Sequence, residues 1–283
     1  MILFFSLDFS QMQYKKILAK LLQKDFPEAL IDRTIPIFAP KSSQELAADK
    51  YENALENVDY YTGIVAYGAQ LLGLGGAESL YETINALVLK HLYRDRTYTF
   101  LDVACGTGRT IYDLAALFPD SNFVGLDYSY LMAQRAKAIL MDSHTIDIDV
   151  KRYGFGKPQL QGKGYENVAI VQGDAMALPF KTASFDCVCN TYLIDRVADP
   201  ILAIQESIRV LKKGGLLVLT DPLSFDQASN YQKPLSPQQI IEIVQQAGIN
   251  VQGAHDGLLF RQKADLRENY YQYSTFVLYG LKE

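Results

Sequence analysis

The stretch Leu101-Asp102-Val103-Ala104-Cys105-Gly106-Thr107-Gly108-Arg109 sets a turn of small residues between an apolar run and a helical pattern. The run before it, Tyr98 to Val103, reads as a buried strand. After it, Thr110 to Phe118 reads as an amphipathic helix with Ile111, Leu114, Ala115 and Leu117 on its apolar side. Glycines at 106 and 108 permit positive φ and remove the Cβ atoms that would hold a ligand off the backbone. The N–H groups that open the helix then face electron-rich ligand atoms. Strand, small-residue turn and helix together predict a nucleotide cradle.

A second short strand, Asn122-Phe123-Val124-Gly125-Leu126-Asp127, follows the helix and ends on a carboxylate 19 residues beyond Gly108. In a βαβ unit an acid roughly 20 residues past the glycines accepts hydrogen bonds from ribose hydroxyls, so the predicted ligand carries a ribose. A dinucleotide fingerprint also needs Gly or Ala three residues after the second glycine, and Ile111 stands there, which disfavours a diphosphate cofactor. The third strand, Val168-Ala169-Ile170-Val171, leads into Gln172-Gly173-Asp174 and puts another acid at a strand's carboxyl end, able to accept from an exocyclic amine. Strands at Phe185 to Asn190 and Leu216 to Asp221 follow, with a helix between them. Every candidate polar group falls at a strand end, where open α/β sheets bind their ligands.

These residues resemble the class I S-adenosylmethionine-dependent methyltransferases, in particular the small-molecule group that includes the quinone methyltransferases. The motifs that carry the resemblance are Leu-Asp-Val-Ala-Cys-Gly-Thr-Gly, Val-Gly-Leu-Asp-Tyr-Ser, Gly-Asp-Ala-Met-Ala-Leu-Pro-Phe, Ser-Phe-Asp-Cys-Val and Arg-Val-Leu-Lys-Lys-Gly-Gly, in family order over roughly residues 96 to 225. The resemblance implies an α/β fold: a Rossmann-like, mostly parallel sheet of seven strands in the order 3-2-1-4-5-7-6, helices on both faces, and an N-terminal helical addition. It implies S-adenosyl-L-methionine as cofactor and S-adenosyl-L-homocysteine as product. Gly106 and Gly108 would flank the methionine part, with Asp102 orienting its amino group. Asp127 would hold both ribose hydroxyls and Tyr128 would lie against the adenine, whose edge Asp174 and the Ala175 amide would read. Asn190 would lie beside the cofactor through its backbone and face the substrate. The family's first motif usually has Gly where this chain has Ala104, a departure of one methyl group that narrows the turn's conformations.

Bulk properties bound the function. The 283 residues can bury one full α/β domain with an addition. A net charge of −5 without a long basic block argues against general nucleic-acid binding. Three cysteines, at 105, 187 and 189, fit a reducing, cytoplasmic compartment, and without a second Cys or His pair they predict no metal site. Met1 to Phe5 is apolar but lacks the basic leader and long apolar region of a signal peptide, and no segment has the length of a membrane span.

Three parts lie outside the motif core. Residues 1–95 are predicted as a leading helical segment, with one amphipathic helix around Ile17, Leu18, Leu21 and Leu22 and another over Leu80 to Leu92. Pro36 and Pro40 separate the first helix from an acidic, Tyr-rich stretch, Tyr51 to Tyr67, which by family analogy lies over the site as a lid. Residues 96–283 form the cofactor-binding domain, interrupted by an insertion at 142–167 in which Thr145 to Val150 alternates like a strand before a glycine-rich loop or hairpin. The tail reads as a helix over Pro237 to Ala247 and strands over Asn250 to Phe260 and Ser274 to Leu281, like the family's closing antiparallel hairpin.

A sulfonium methyl group is already electrophilic, so the protein's main task is alignment and exclusion of water. A general base would help an oxygen or acidic-carbon acceptor, and its candidates follow the fourth strand. Related enzymes often carry Glu-His where this chain has Asp195-Arg196, so Asp195 is read either as a base or as the ion-pair partner of Arg196. His91, His144 and His255 are isolated and are read as surface or satisfied side chains. The predicted activity is methyl transfer to an O, N or C atom of a small metabolite. Its alternatives are a non-catalytic cofactor-binding or assembly module and a nucleotide-dependent oxidoreductase.

Overall fold

The computed structural model describes residues 13–23, 30–32, 35–39, 41, 54–76, 78–225, 234–267 and 269–283. One sheet organises them, in the order β1-β2-β7-β4-β3-β8-β9-β11-β10. Its centre is β3 (Thr99–Val103), flanked by β4 (Asn122–Asp127) and β8 (Phe185–Thr191), with β7 (Val168–Gln172) and β9 (Leu211–Asp221) beyond them, all parallel. β11 (Tyr270–Lys282) runs antiparallel to β9, and β10 (Ile249–Lys263) runs antiparallel to β11, with register irregularities at Val251/Gly253 and His255/Leu258. Counted from β3, these seven strands have the expected order 3-2-1-4-5-7-6.

The sheet is larger than predicted. β1 (Leu30–Asp32) and β2 (Ile35–Ile37) extend it to nine strands, β2 meeting β7 through the Ile37 and Gln172 pair. The leading segment is therefore not purely helical. A three-residue strand shows too little alternation to be seen in sequence, and Pro36, which read as a separator, sits in β2, as proline does at sheet edges. The expectations for Met1 to Phe5, for Pro40 and for the start of the Tyr51 to Tyr67 stretch lie outside the described residues.

Alternation along the strands loads both faces. Leu101 and Val103 of β3 join a core with α1 (Gln13–Leu21), α7 (Pro200–Val210) and α8 (Pro237–Gln246). Phe100 points to the other face, where α4 (Glu78–His91), α5 (Arg109–Leu117) and α6 (Tyr130–Leu140) pack and where its ring stacks on Phe123 at 4.7 Å. Between α1 and α4 come α2 (Leu55–Tyr60), a π-helical stretch over Tyr61–Ala66, and α3 (Gly68–Leu72), which ends on Gly73 in the left-handed region. Helix starts are fixed locally: Ser129 caps α6, Asp199 caps α7, and Ser236 with Gln239 forms a capping box on α8.

The insertion at 142–167 is a hairpin of β5 (Thr145–Asp147) and β6 (Gln159–Gln161) in its own two-stranded sheet. Ile148 and Val150 just beyond β5 are fully buried against the π-helical stretch, where a Cβ on Gly63 would come 2.9 Å from Ile148 Cγ2 and 3.1 Å from Val150 Cγ1. Among the described residues no helix is long and apolar enough to cross a membrane.

Candidate active site

The carboxyl ends of β3, β4 and β7 converge because their backbones are tied beyond the sheet ladder. The Cys105 N–H donates to Leu126 O at 2.9 Å, and the Gly173 N–H donates to Asp127 O at 3.0 Å. The turn after β3 runs through three left-handed residues, Ala104 (φ 60°), Gly106 (φ 53°) and Gly108 (φ 84°). Gly108 is required twice over, since a Cβ there would lie 2.6 Å from Leu140 Cδ1. Ala104 holds a conformation that costs an L-residue roughly 1 kcal/mol, so the single methyl departure noted in the sequence is a point of strain.

Asp102 is 3 % exposed, and neither of its carboxylate oxygens has a well-formed hydrogen bond. Burial above all, and then the charge of Asp127, raises its carboxyl to about 8, an effect the Thr110 hydroxyl only partly offsets. Asp127 is engaged in the turn itself: Gly106 N–H donates to its Oδ2 at 2.7 Å and Ser129 N–H to its Oδ1 at 2.9 Å. Tyr128 is 40 % exposed beneath Lys41, whose ammonium lies 4.1 Å from the ring centre. Asp174 accepts from the Met176 N–H at 2.8 Å, and Ala175 is buried beside it. The structure thus brings Asp102, Ala104, Gly106, Gly108, Asp127, Tyr128, Asp174 and Ala175 to one edge of the sheet.

Two expected residues stand apart. The Asn190 side chain is fully buried and donates to Ser207 Oγ of α7 at 3.3 Å, so only its backbone borders the site. The strand's alternation explains this, since Cys189 takes the cradle face and Asn190 the opposite one. Asp195 is 3 % exposed, lies 3.1 Å from Arg196 Nε and accepts from Ser224 N–H at 3.2 Å. Of its two sequence readings, the ion pair is the one the geometry supplies. Asp221 at the end of β9 sits next to it, its carboxyl raised to about 7 by burial and by the charge of Asp195.

Sequence reasoning passed over the cover of this edge. Tyr61, Tyr81, Arg109, Thr110 and Thr191 join Asp102, Ala104 and Cys105 around a cavity of about 10 Å³, room for roughly one water. Tyr61 lies directly on the turn, with Cε1 3.1 Å and its hydroxyl 3.3 Å from where a Cβ on Gly106 would be. Arg109 donates through Nη1 to Ala66 O, pairs through Nε with Asp113 at 3.0 Å, and stacks over Tyr81 at 4.8 Å. The Tyr67 hydroxyl donates to Thr107 O at 3.1 Å. The adjacent Tyr60-Tyr61 pair was the available sequence signal. A larger cleft of about 440 Å³ between α1 and α7 is lined by Gln23, Glu206 and Arg209, and these are already paired with one another or with backbone carbonyls.

Beyond the turn, Tyr192 follows β8 with φ 57°. Its hydroxyl is 2.5 Å from Thr275 Oγ1, and its ring centre lies 5.1 Å from Phe260 and 6.3 Å from Tyr273 on the β10–β11 hairpin.

A family model described as "Methyltransferase domain" matches residues 94–249. A protein named demethylmenaquinone methyltransferase from Lactococcus lactis subsp. lactis (strain IL1403) is 32 % identical over 151 residues, 49 % of this chain and 52 % of that protein. One of the same name from Staphylococcus aureus (strain JH9) is 35 % identical over 119 residues, 42 % of this chain and 40 % of that protein. The chain thus spans about half the length, or less, of these curated relatives. Among solved structures, the [4+2]-cyclase SpnF covers 80 % of this chain and 94 % of its own at a TM-score of 0.53 and 18 % identity, a likeness of fold.

Proposed function

The chain belongs to the methyltransferase-domain family, and on that premise we propose that it binds S-adenosyl-L-methionine at the turn after β3 and transfers its methyl group to a small-molecule acceptor. The observation that carries the reading is Asp102, a buried carboxylate with no well-formed hydrogen bond, set under a glycine turn whose neighbouring strands also end in acids. Buried polar groups are almost always satisfied, and a carboxylate left over at a ligand edge is suited to an ammonium group.

In this reading Asp102 takes the amino group of the cofactor, and the Gly106 to Gly108 backbone lies along its methionine part. Asp127 accepts from the ribose hydroxyls while its amide bonds from Gly106 and Ser129 hold the carboxylate in place. Tyr128, Asp174 and the Ala175 amide take the adenine. When bound, the cofactor supplies an electrophilic methyl group on a sulfonium sulfur. What remains for the chain is to orient an acceptor and keep water out. Tyr192, Phe260 and Tyr273 offer an aromatic wall for that purpose, in keeping with a flat acceptor of quinone type such as the names of the curated relatives suggest. We assign no general base, because Asp195 is committed to Arg196 and the Ser224 amide. We further read the protein as cytoplasmic, on its buried free thiols, and as acting on a metabolite and not on nucleic acid.

Calorimetry with S-adenosylmethionine, S-adenosylhomocysteine and NAD tests the cofactor, and tighter binding of NAD would overturn the assignment. Transfer of a labelled methyl group into a metabolite extract tests the reaction. The fold alone does not fix it, since one chain of like fold is named for a cyclisation. Cofactor binding without transfer to any acceptor would favour a binding module.

A further inference from the structure

The cavity beside Asp102 is far too small for a nucleoside, and what fills the space is the Tyr61 ring, not the turn itself. Tyr61 begins the π-helical stretch, and such irregular turns concentrate at functional sites. The stretch is anchored to the turn by two hydrogen bonds, Arg109 to Ala66 O and Tyr67 to Thr107 O. Behind it runs a link of unusual freedom. Gly73 (φ 65°) and Gly75 have no heavy atom within 4 Å of an added Cβ, and Gly76 has φ 119°. Glycine-rich element ends of this kind absorb the backbone rotation of a hinge.

The outer side of the same stretch is held by the insertion. Ile148 and Val150 close on Gly63, the Asp149 N–H donates to Asp59 Oδ2 at 3.2 Å, and Asp59 pairs with Arg135 of α6 at 2.7 Å. These contacts lie away from the turn and bind no ligand in the reading above. Their effect is to press Tyr61 down.

Resting on the assignment of the cofactor to this turn, we propose that residues 55–72 are a strap closed over the cradle in an autoinhibitory contact. It swings out at Gly73 to Gly76 to admit the cofactor, and the 148–150 segment of the insertion is the latch that sets how often it opens. Ligand then binds only the open fraction, so its apparent association rate scales with that fraction.

The test is a reversible lock. In Gly63→Cys/Ile148→Cys the new thiols face each other across the latch, while the native cysteines are buried. Stopped-flow binding of S-adenosylhomocysteine should slow by about 100-fold or more when the pair is oxidised and return to near the wild-type rate with dithiothreitol. In the opposite sense, Val150→Ala removes two buried methyl groups and should raise the association rate on the order of tenfold. It should also speed amide hydrogen exchange over 61–67 without any ligand. Wild-type association by the oxidised protein would overturn the strap. Should the double variant fail to bind even when reduced, Val150→Ala decides, and unchanged association and exchange there overturn it. Absence of binding by the wild type to either S-adenosyl compound would instead remove the cofactor reading, leaving the ligand-free exchange of Val150→Ala to decide the strap.

Discussion

Asp59 on the strap and Asp102 at the end of β3 are buried to nearly the same degree, 6 % and 3 % exposed, and the protein treats them in opposite ways. Asp59 is given a guanidinium at 2.7 Å and a backbone N–H at 3.2 Å. Asp102 is given no well-formed hydrogen bond, and its carboxyl rises to about 8 in response. The first arrangement spends a charge on holding two elements together. The second keeps a charge in reserve at a ligand edge, at the expense of stability.

The comparison breaks first at Asp59. Asp59→Ala strands the Arg135 charge, 9 % exposed, and should lower unfolding free energy by about 3–5 kcal/mol in a denaturant titration. A loss below about 1 kcal/mol would mean the pair holds nothing. Next is Asp127→Ala, which should weaken binding of S-adenosylhomocysteine by about 100-fold in calorimetry, the cost of two charge-assisted hydrogen bonds, while circular dichroism shows the fold kept. Unchanged affinity would remove the ribose assignment.

Asp102→Asn should go the other way in stability and the same way in binding: a gain of roughly 1–3 kcal/mol near pH 7.5 together with weaker cofactor affinity. The sign follows from the raised carboxyl. The folded state holds the Asp102 proton up to about pH 8, whereas the unfolded chain releases it near 3.8, so this contribution is complete below the lower value and is lost as pH rises through the higher. Denaturant midpoints of the wild type should fall across that window and flatten in Asp102→Asn, the remaining slope belonging to Asp221 with its carboxyl near 7. An unaltered slope would mean that Asp102 titrates like an exposed acid. The smallest effect belongs to Arg152→Ala. Arg152 pairs with Glu56 across the strap and insertion, but at 69 % and 45 % side-chain exposure the pair is well solvated, and its loss should cost less than about 1 kcal/mol by the same titration.

Much of this was legible before any coordinates. Strand β4 has the bounds read from Asn122 to Asp127, and the cradle, the acids at strand ends and the seven-strand order all follow from local patterns with strong physical causes. What stayed hidden depends on distant partners. Whether Asn190 faces the site is decided by strand alternation against α7, and whether Asp195 is a base is decided by the Ser224 amide, 29 residues away. Tyr61 could be flagged as one of a tyrosine pair, but its seat on Gly106 arises from a π-helical turn that no periodicity announces. In the insertion the alternation at Thr145 to Val150 was real, yet only Thr145–Asp147 pairs as a strand, because Ile148 and Val150 are used to grip the strap.

The two outermost strands of the sheet have a consequence for the protein's behaviour in a crowded solution. A nine-stranded sheet would ordinarily end in exposed rows of N–H and C=O groups that invite another chain to add itself. Here one end is β1, three residues long, and the other is β10, whose ladder is broken at Val251/Gly253 and again at His255/Leu258. Neither border presents a long flat template, so the sheet that builds the cradle also resists edge-to-edge aggregation.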